Sequence, residues 1–92
     1  MMIDLEYLRK EFRVIEILRF NIVSNYVTGM VNASDIEEFK KKFFTFKEHL
    51  YSYEITDDTL LEVAQMKSRL QHFNTEVLED EDLLRVAFSN SN

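Results

Sequence analysis

The sequence contains no cysteine and no proline, and Gly29 is its one glycine. Without cysteine there is no disulfide, no thiolate metal site and no cysteine nucleophile. A chain of 92 residues with average usage would hold roughly six glycines and four or five prolines. Their scarcity argues against a turn-rich β fold and favours long helices with short connections. Long apolar runs are missing as well. Residues 15–31 come nearest, but Glu16, Arg19, Asn21, Ser24 and Asn25 interrupt them, which excludes a membrane span. The opening MMIDLEYLRK carries Asp4 and Glu6 and has no basic segment leading into an apolar one. No signal peptide is expected, and a soluble cytoplasmic protein is.

What is present is apolar and aromatic: 46% hydrophobic residues, with eight Phe and four Tyr. That is enough for one core and too much for a disordered chain. The net charge of −6 is unevenly placed. Residues 1–46 hold seven basic and seven acidic side chains, and residues 47–92 hold four against ten. Solvation of surface faces is one reading. A surface that repels nucleic acid and lipid and attracts a basic partner is the other.

Residues 32–53 supply the organising helix. Ser34 and Glu37 have the spacing of a capping box, in which each side chain satisfies a backbone N–H of the first turn. Ile36, Phe39, Phe43, Phe46, Leu50 and Tyr53 then recur at three and four, the seam of a helix that needs cover. Residues 4–28 read as an earlier helix through Leu5, Leu8, Phe12, Ile15, Ile22 and Tyr26, with Leu18 and Val23 widening the face. Gly29 follows where a left-handed residue ends a helix. The β-branched Ile22, Val23, Val27 and Val31 leave a short strand at 21–31 as the alternative. Arg19 falls on the apolar stripe and should snorkel to the rim or pair with an acid from a neighbouring helix. A loop of residues 29–33 makes these two helices antiparallel neighbours. Thr56 or Asp57 can cap a third helix with the stripe Val63, Met66, Leu70, Phe73 and Val77, beside Leu60 and Ala64. A break is expected near Asn74 and Thr75, then a short fourth helix over 79–88 and a loose tail. The expected fold is a single all-α domain, a small bundle of three main helices and a short carboxy-terminal one.

Chemistry is harder to find. His49 and His72 lie next to no ligand-spaced partner and read as surface histidines. One glycine allows no phosphate-cradling loop, and no serine stands in a nucleophile elbow. Neither a metal nor a cofactor is expected, and the chain should bind rather than catalyse. The spacing of Leu5, Leu8 and Arg9 is similar to the opening of small helical chorismate mutases. Such an active site needs several spaced cations, and after Arg9, Arg13 and Arg19 no basic residue follows until Lys40. The lysines at 40–42 form a solvated face rather than a nucleic-acid patch.

Two surfaces remain. Phe44 and Tyr51 lie about 90° from the seam at 100° per residue, so they are covered by the first helix or form a homodimer interface. The acids form two groups. Glu54, Asp58 and Glu62 are spaced at four, with Asp57 beside them, and Glu76, Glu79, Asp80, Glu81 and Asp82 fall within seven residues. The second group lacks the glycine turn and spacing of a calcium loop. A solvated helix end is the plain reading, and a surface shaped like DNA the sharper one. One turn of duplex carries roughly 20 charges over both strands. A chain at −6 imitates little of that, and a two-fold dimer at −12 imitates more.

The length, the acidity, the opening MMIDLEYLRKEF and the later VLEDEDLL run together resemble the Arn-type anti-restriction proteins of T-even phages. The resemblance implies a phage protein made in the host bacterial cytoplasm that mimics DNA. Its target would be an endonuclease of McrBC type, engaged without direct contact to nucleic acid. The near-neutral first half departs from that pattern, since strong DNA mimics are acidic throughout. The competing expectation is a helical interaction module whose acidity only solvates it.

Overall fold

A computed structural model describes residues 4–52 and 59–90. Helix α1 spans Leu5–Val27, α2 Ala33–Ser52, α3 Leu60–Phe73 and α4 Glu81–Ser89, with a π-helical turn Asn74–Leu78 between α3 and α4. Among the described residues the protein is all-α, with four helices and no strand. No helix among them is long and apolar enough to cross a membrane.

Local chemistry sets these boundaries. Asp4 opens α1 by accepting the Tyr7 N–H at 3.1 Å. The far end is a Schellman turn: Gly29, at φ +74°, donates to the Tyr26 carbonyl, and Met30 donates to that of Asn25 at 2.7 Å. The alternative strand at 21–31 therefore does not form. Ile22 is buried in the core, and Leu18 and Val23 pack against it, so tertiary packing outweighs their β-branched neighbours. One expected cap is corrected. Asn32, not Ser34, accepts the Asp35 N–H at 3.1 Å, and Ser34 donates its hydroxyl to the same Asn32 oxygen. Asn ranks with Ser as a cap, and starting two residues earlier lets Ala33 enter the buried face.

Contacts along the helices give their directions. Phe12 meets Phe46 at 5.7 Å while Tyr7, earlier in α1, meets His49, later in α2. Those two helices are therefore antiparallel. Arg9 pairs with Glu62, Glu16 with Arg69 and Arg19 with Glu76, so α3 ascends parallel to α1. Beyond the π-helical turn, α4 continues to the closed end of the hairpin, where Asn90 donates its side-chain amide to the carbonyls of Gly29 and Val31, both at 2.8 Å. The result is a three-rod bundle, 46 × 17 × 16 Å, whose third rod is broken.

The two seams predicted from spacing meet inside it. Leu8, Phe12, Ile15 and Ile22 pack against Ile36, Phe39, Phe43, Phe46 and Leu50, and the stripe from Val63 to Val77 closes the third side. Phe12 touches all three rods, stacking on Phe73 at 5.9 Å as well as meeting Phe46. Leu60 and Ala64 do not flank the core as their spacing suggested. Both are exposed, as are Leu61 and Phe88.

Candidate functional site

The third rod carries the acids, and its local structure decides what each one does. Glu62, on the first turn of α3, reaches across to α1 and takes both guanidinium arms of Arg9, at 2.9 and 3.0 Å. The hydrogen bond to Glu62, and then its charge, raise the Arg9 pKa above the ordinary value. Two helical turns further along α1, Arg69 donates to Glu16 at 2.6 Å and spreads over the rings of Phe12 and Phe73.

Glu76 stands at the break. The π-helical turn brings its carboxylate to Arg19 at 3.1 Å on one side and to His72 at 2.7 Å on the other. Arg19 is thus paired with an acid from a neighbouring element, as its place on the apolar stripe predicted. Its guanidinium also sits 5.2 Å from the Phe73 ring, and its buried Nε has no hydrogen-bond partner. Both side chains of this pair are only 27% exposed, which makes it the most enclosed ion pair among the described residues.

The remaining acids serve the restart of the helix. Glu79 accepts the Asn74 amide at 2.7 Å, which ties the two ends of the π-helical turn together. Asp80 caps α4 through the Leu83 N–H at 3.1 Å, and Asp82 pairs with Arg85 at 2.7 Å. Glu81 makes no ion pair with another described residue. Glu79, Glu81 and Asp82 are exposed and Asp80 is half-buried, so these four form one surface around the amino end of α4. Glu62 lies apart from them at the start of the rod, on the first turn of α3. Glu54, Asp57 and Asp58 fall outside the described residues, as do Tyr53 and the alternative cap Thr56.

The aromatic pair occupies a different surface. Phe44 and Tyr51 are 43% and 51% exposed, so α1 does not cover them. Phe44 packs edge-on against Phe43 at 5.3 Å, and Tyr51 lies under the Lys67 ammonium at 4.3 Å. They flank α2 on the side of the third rod, and Tyr51 lines a cleft there with Lys47, Gln71 and Glu79.

The histidines stand on the surface, as expected from their spacing. His49 is 3.4 Å from Glu11 and His72 is paired with Glu76. Among the described residues no three His or acidic side chains are grouped to hold a metal. A groove between α1 and α2, of about 460 Å³, is lined by Glu11, Val14, Glu38, Lys41, Lys42 and Thr45 above Phe46.

Spacing alone had not picked out the cross-rod ladder. The signal was present: Arg9 and Glu16, and likewise Glu62, Arg69 and Glu76, recur every seven residues with alternating sign. Two parallel helices turn such rows towards each other. No family model, no curated protein and no solved structure matches this chain.

Proposed function

We propose that the protein is a small acidic inhibitor that mimics DNA and occupies the DNA-binding surface of a restriction endonuclease of McrBC type. It binds and does not catalyse, and it works as a homodimer in the host bacterial cytoplasm. The observation that carries this reading is the segregation of charge on an elongated rod. The α1–α2 hairpin, residues 4–52, balances eight acids with eight bases, so the whole −6 belongs to the third rod and the residues leading into it. At 46 Å the rod matches about 13 base pairs in length at ~3.4 Å each. The resemblance to the Arn-type proteins supports the same reading.

The ion pairs narrow the acids that take part. Glu62 and Glu76 are held across the bundle by Arg9 and Arg19, so the mimicking charge is carried by Glu79, Asp80, Glu81, Glu54, Asp57 and Asp58, with Asp82 added at the surface, where Arg85 partly offsets it. If these carboxylates stand in for phosphates, affinity falls steeply with salt, and duplex DNA competes for the target. Glu79→Gln, Asp80→Asn, Glu81→Gln and Asp82→Asn together remove four charges. Folding is retained, because Asn caps a helix as well as Asp does. Binding then drops at least tenfold. A shallow salt slope, no competition by DNA and unchanged affinity would overturn the proposal.

The cross-rod pairs favour a second reading. A helical interaction module with solvating acids also places Glu62 and Glu76 against arginines, and it docks through apolar side chains. It predicts that the neutralised variant keeps its affinity.

A further inference from the structure

The outward side of α1 carries a second seam. Ile17, Phe20, Ser24 and Val27 follow at three, four and three, opposite the face that Leu8, Ile15 and Ile22 bury. Ile17 is 50% exposed, Phe20 62% and Val27 80%. Val14 and Met30 extend the strip at its two ends. Between residues 14 and 30 every exposed side chain is uncharged, in a protein where 30% of residues are charged. The two charges inside this stretch, Glu16 and Arg19, are turned aside and held by Arg69 and Glu76.

We propose that this strip is the homodimer interface, α1 packing antiparallel on α1 of a second copy about a two-fold axis midway between Phe20 and Ser24, so that Ile17 faces Val27 and Phe20 faces Ser24 of that copy. An a/d spacing on an exposed helix face fits another helix, and a self-complementary patch closes as a two-fold pair. Charge chooses the occupant. Two copies at −6 repel across charged faces, and between residues 14 and 30 this face has no exposed charge to desolvate. Serine at the centre lets two helices approach closely. Area agrees. The strip runs about 21 Å along the axis and exposes on the order of 500 Å² of apolar surface, within the range where a patch on a monomer is functional. Asn21, Ser24 and Thr28 bring each side towards the ~800 Å² of a standard interface. Pairing through the outer side of α1 leaves the third rods of both copies free. The inference therefore deepens the mimicry reading, in which a dimer presents −12.

Light scattering tests assembly without reference to any target, so the interface and the mimicry can fail separately. The wild-type chain is expected at twice its 11.1 kDa. Ile17→Glu with Phe20→Glu is expected at the single mass with unchanged helical circular dichroism. Because the chain has no cysteine, Phe20→Cys with Ser24→Cys on mild oxidation gives a covalent dimer, whereas Thr45→Cys on α2 does not. A wild-type monomer overturns the inference, even if the strip docks some other helix. So does a dimer that survives the double substitution, or one that Phe44→Glu with Tyr51→Glu dissolves instead. Should the double glutamate variant unfold, absence of the cross-link between the cysteines at 20 and 24 overturns it alone.

Discussion

Between residues 4 and 52 the chain runs through two unbroken helices of 23 and 20 residues, while from 60 to 89 it uses helices of 14 and 9 around a five-residue π-helical turn. The hairpin is closed by a glycine turn and balanced in charge. The third rod is acidic and restarts halfway. The two differences have a common cause. A helix that begins anew leaves unpaired N–H groups and a positive dipole end, and acids satisfy both. Asp80 caps, Glu81 and Asp82 occupy the first turn, and Glu79 braces the break. Part of the acidity of VLEDEDLL is thus what restarting a helix requires, and only the remainder is available to a partner.

The largest expected effect separates the rods by their cores. Phe46 is buried between α1 and α2, and Phe46→Ala should cost about 3–5 kcal/mol in chemical denaturation. Leu83 is equally buried under the nine-residue α4, and Leu83→Ala should cost nearer 2–3 kcal/mol, because a short terminal helix can collapse onto the gap. Hydrogen exchange sharpens the contrast. Amides of residues 81–89 should lose protection in Leu83→Ala while those of the hairpin keep theirs. Equal loss in both would mean that the broken rod is as integral as the hairpin.

Next in size is the ion pair that joins them. Glu76→Gln leaves the Arg19 guanidinium, mostly shielded and with one nitrogen already unpartnered, without its counter-charge. The expected cost is about 1–2 kcal/mol, between the values for exposed and buried pairs. Arg69→Gln breaks the more exposed pair with Glu16 and should cost less. The reverse order would place the junction at α3 rather than at the π-helical turn.

Much of the fold was legible because it rests on periodicity. The seams from Leu8 to Ile22, from Ile36 to Leu50 and from Val63 to Val77 are the buried faces, and Gly29 and the break at Asn74 stand where local chemistry put them. The misreadings were local. Ser34 and Asn32 both have cap chemistry, and which one serves depends on whether Ala33 is wanted in the core. The strand reading for 21–31 weighed β-branching without the packing that overrides it. The candidate site was less legible, because carboxylates alike in composition differ in what they touch. Nothing in the sequence ranks Glu76 above Glu81 until Arg19 arrives from 57 residues away. The outward seam of α1 was hidden by the stronger inward one on the same helix.

The smallest effect on stability is also the one that best separates the two accounts of the acids. Arg85 and Asp82 pair at 2.7 Å three residues apart on α4, and both are largely exposed. Such a pair contributes within about 0.5 kcal/mol, so Arg85→Gln should leave the denaturation midpoint almost unchanged. It removes a cation from α4 and frees Asp82 while the helix still starts on Asp80. A carboxylate surface that substitutes for phosphates becomes more DNA-like by one charge per chain. Affinity for a DNA-binding target should then rise two- to fivefold at low salt, and the salt slope should steepen. Acids that only solvate a helix start have no such dependence, so in that case affinity and slope stay with the wild type. A fall in affinity with the fold intact would make Arg85 itself a contact, and would place the partner's acidic groups, not its basic ones, at this end of the rod.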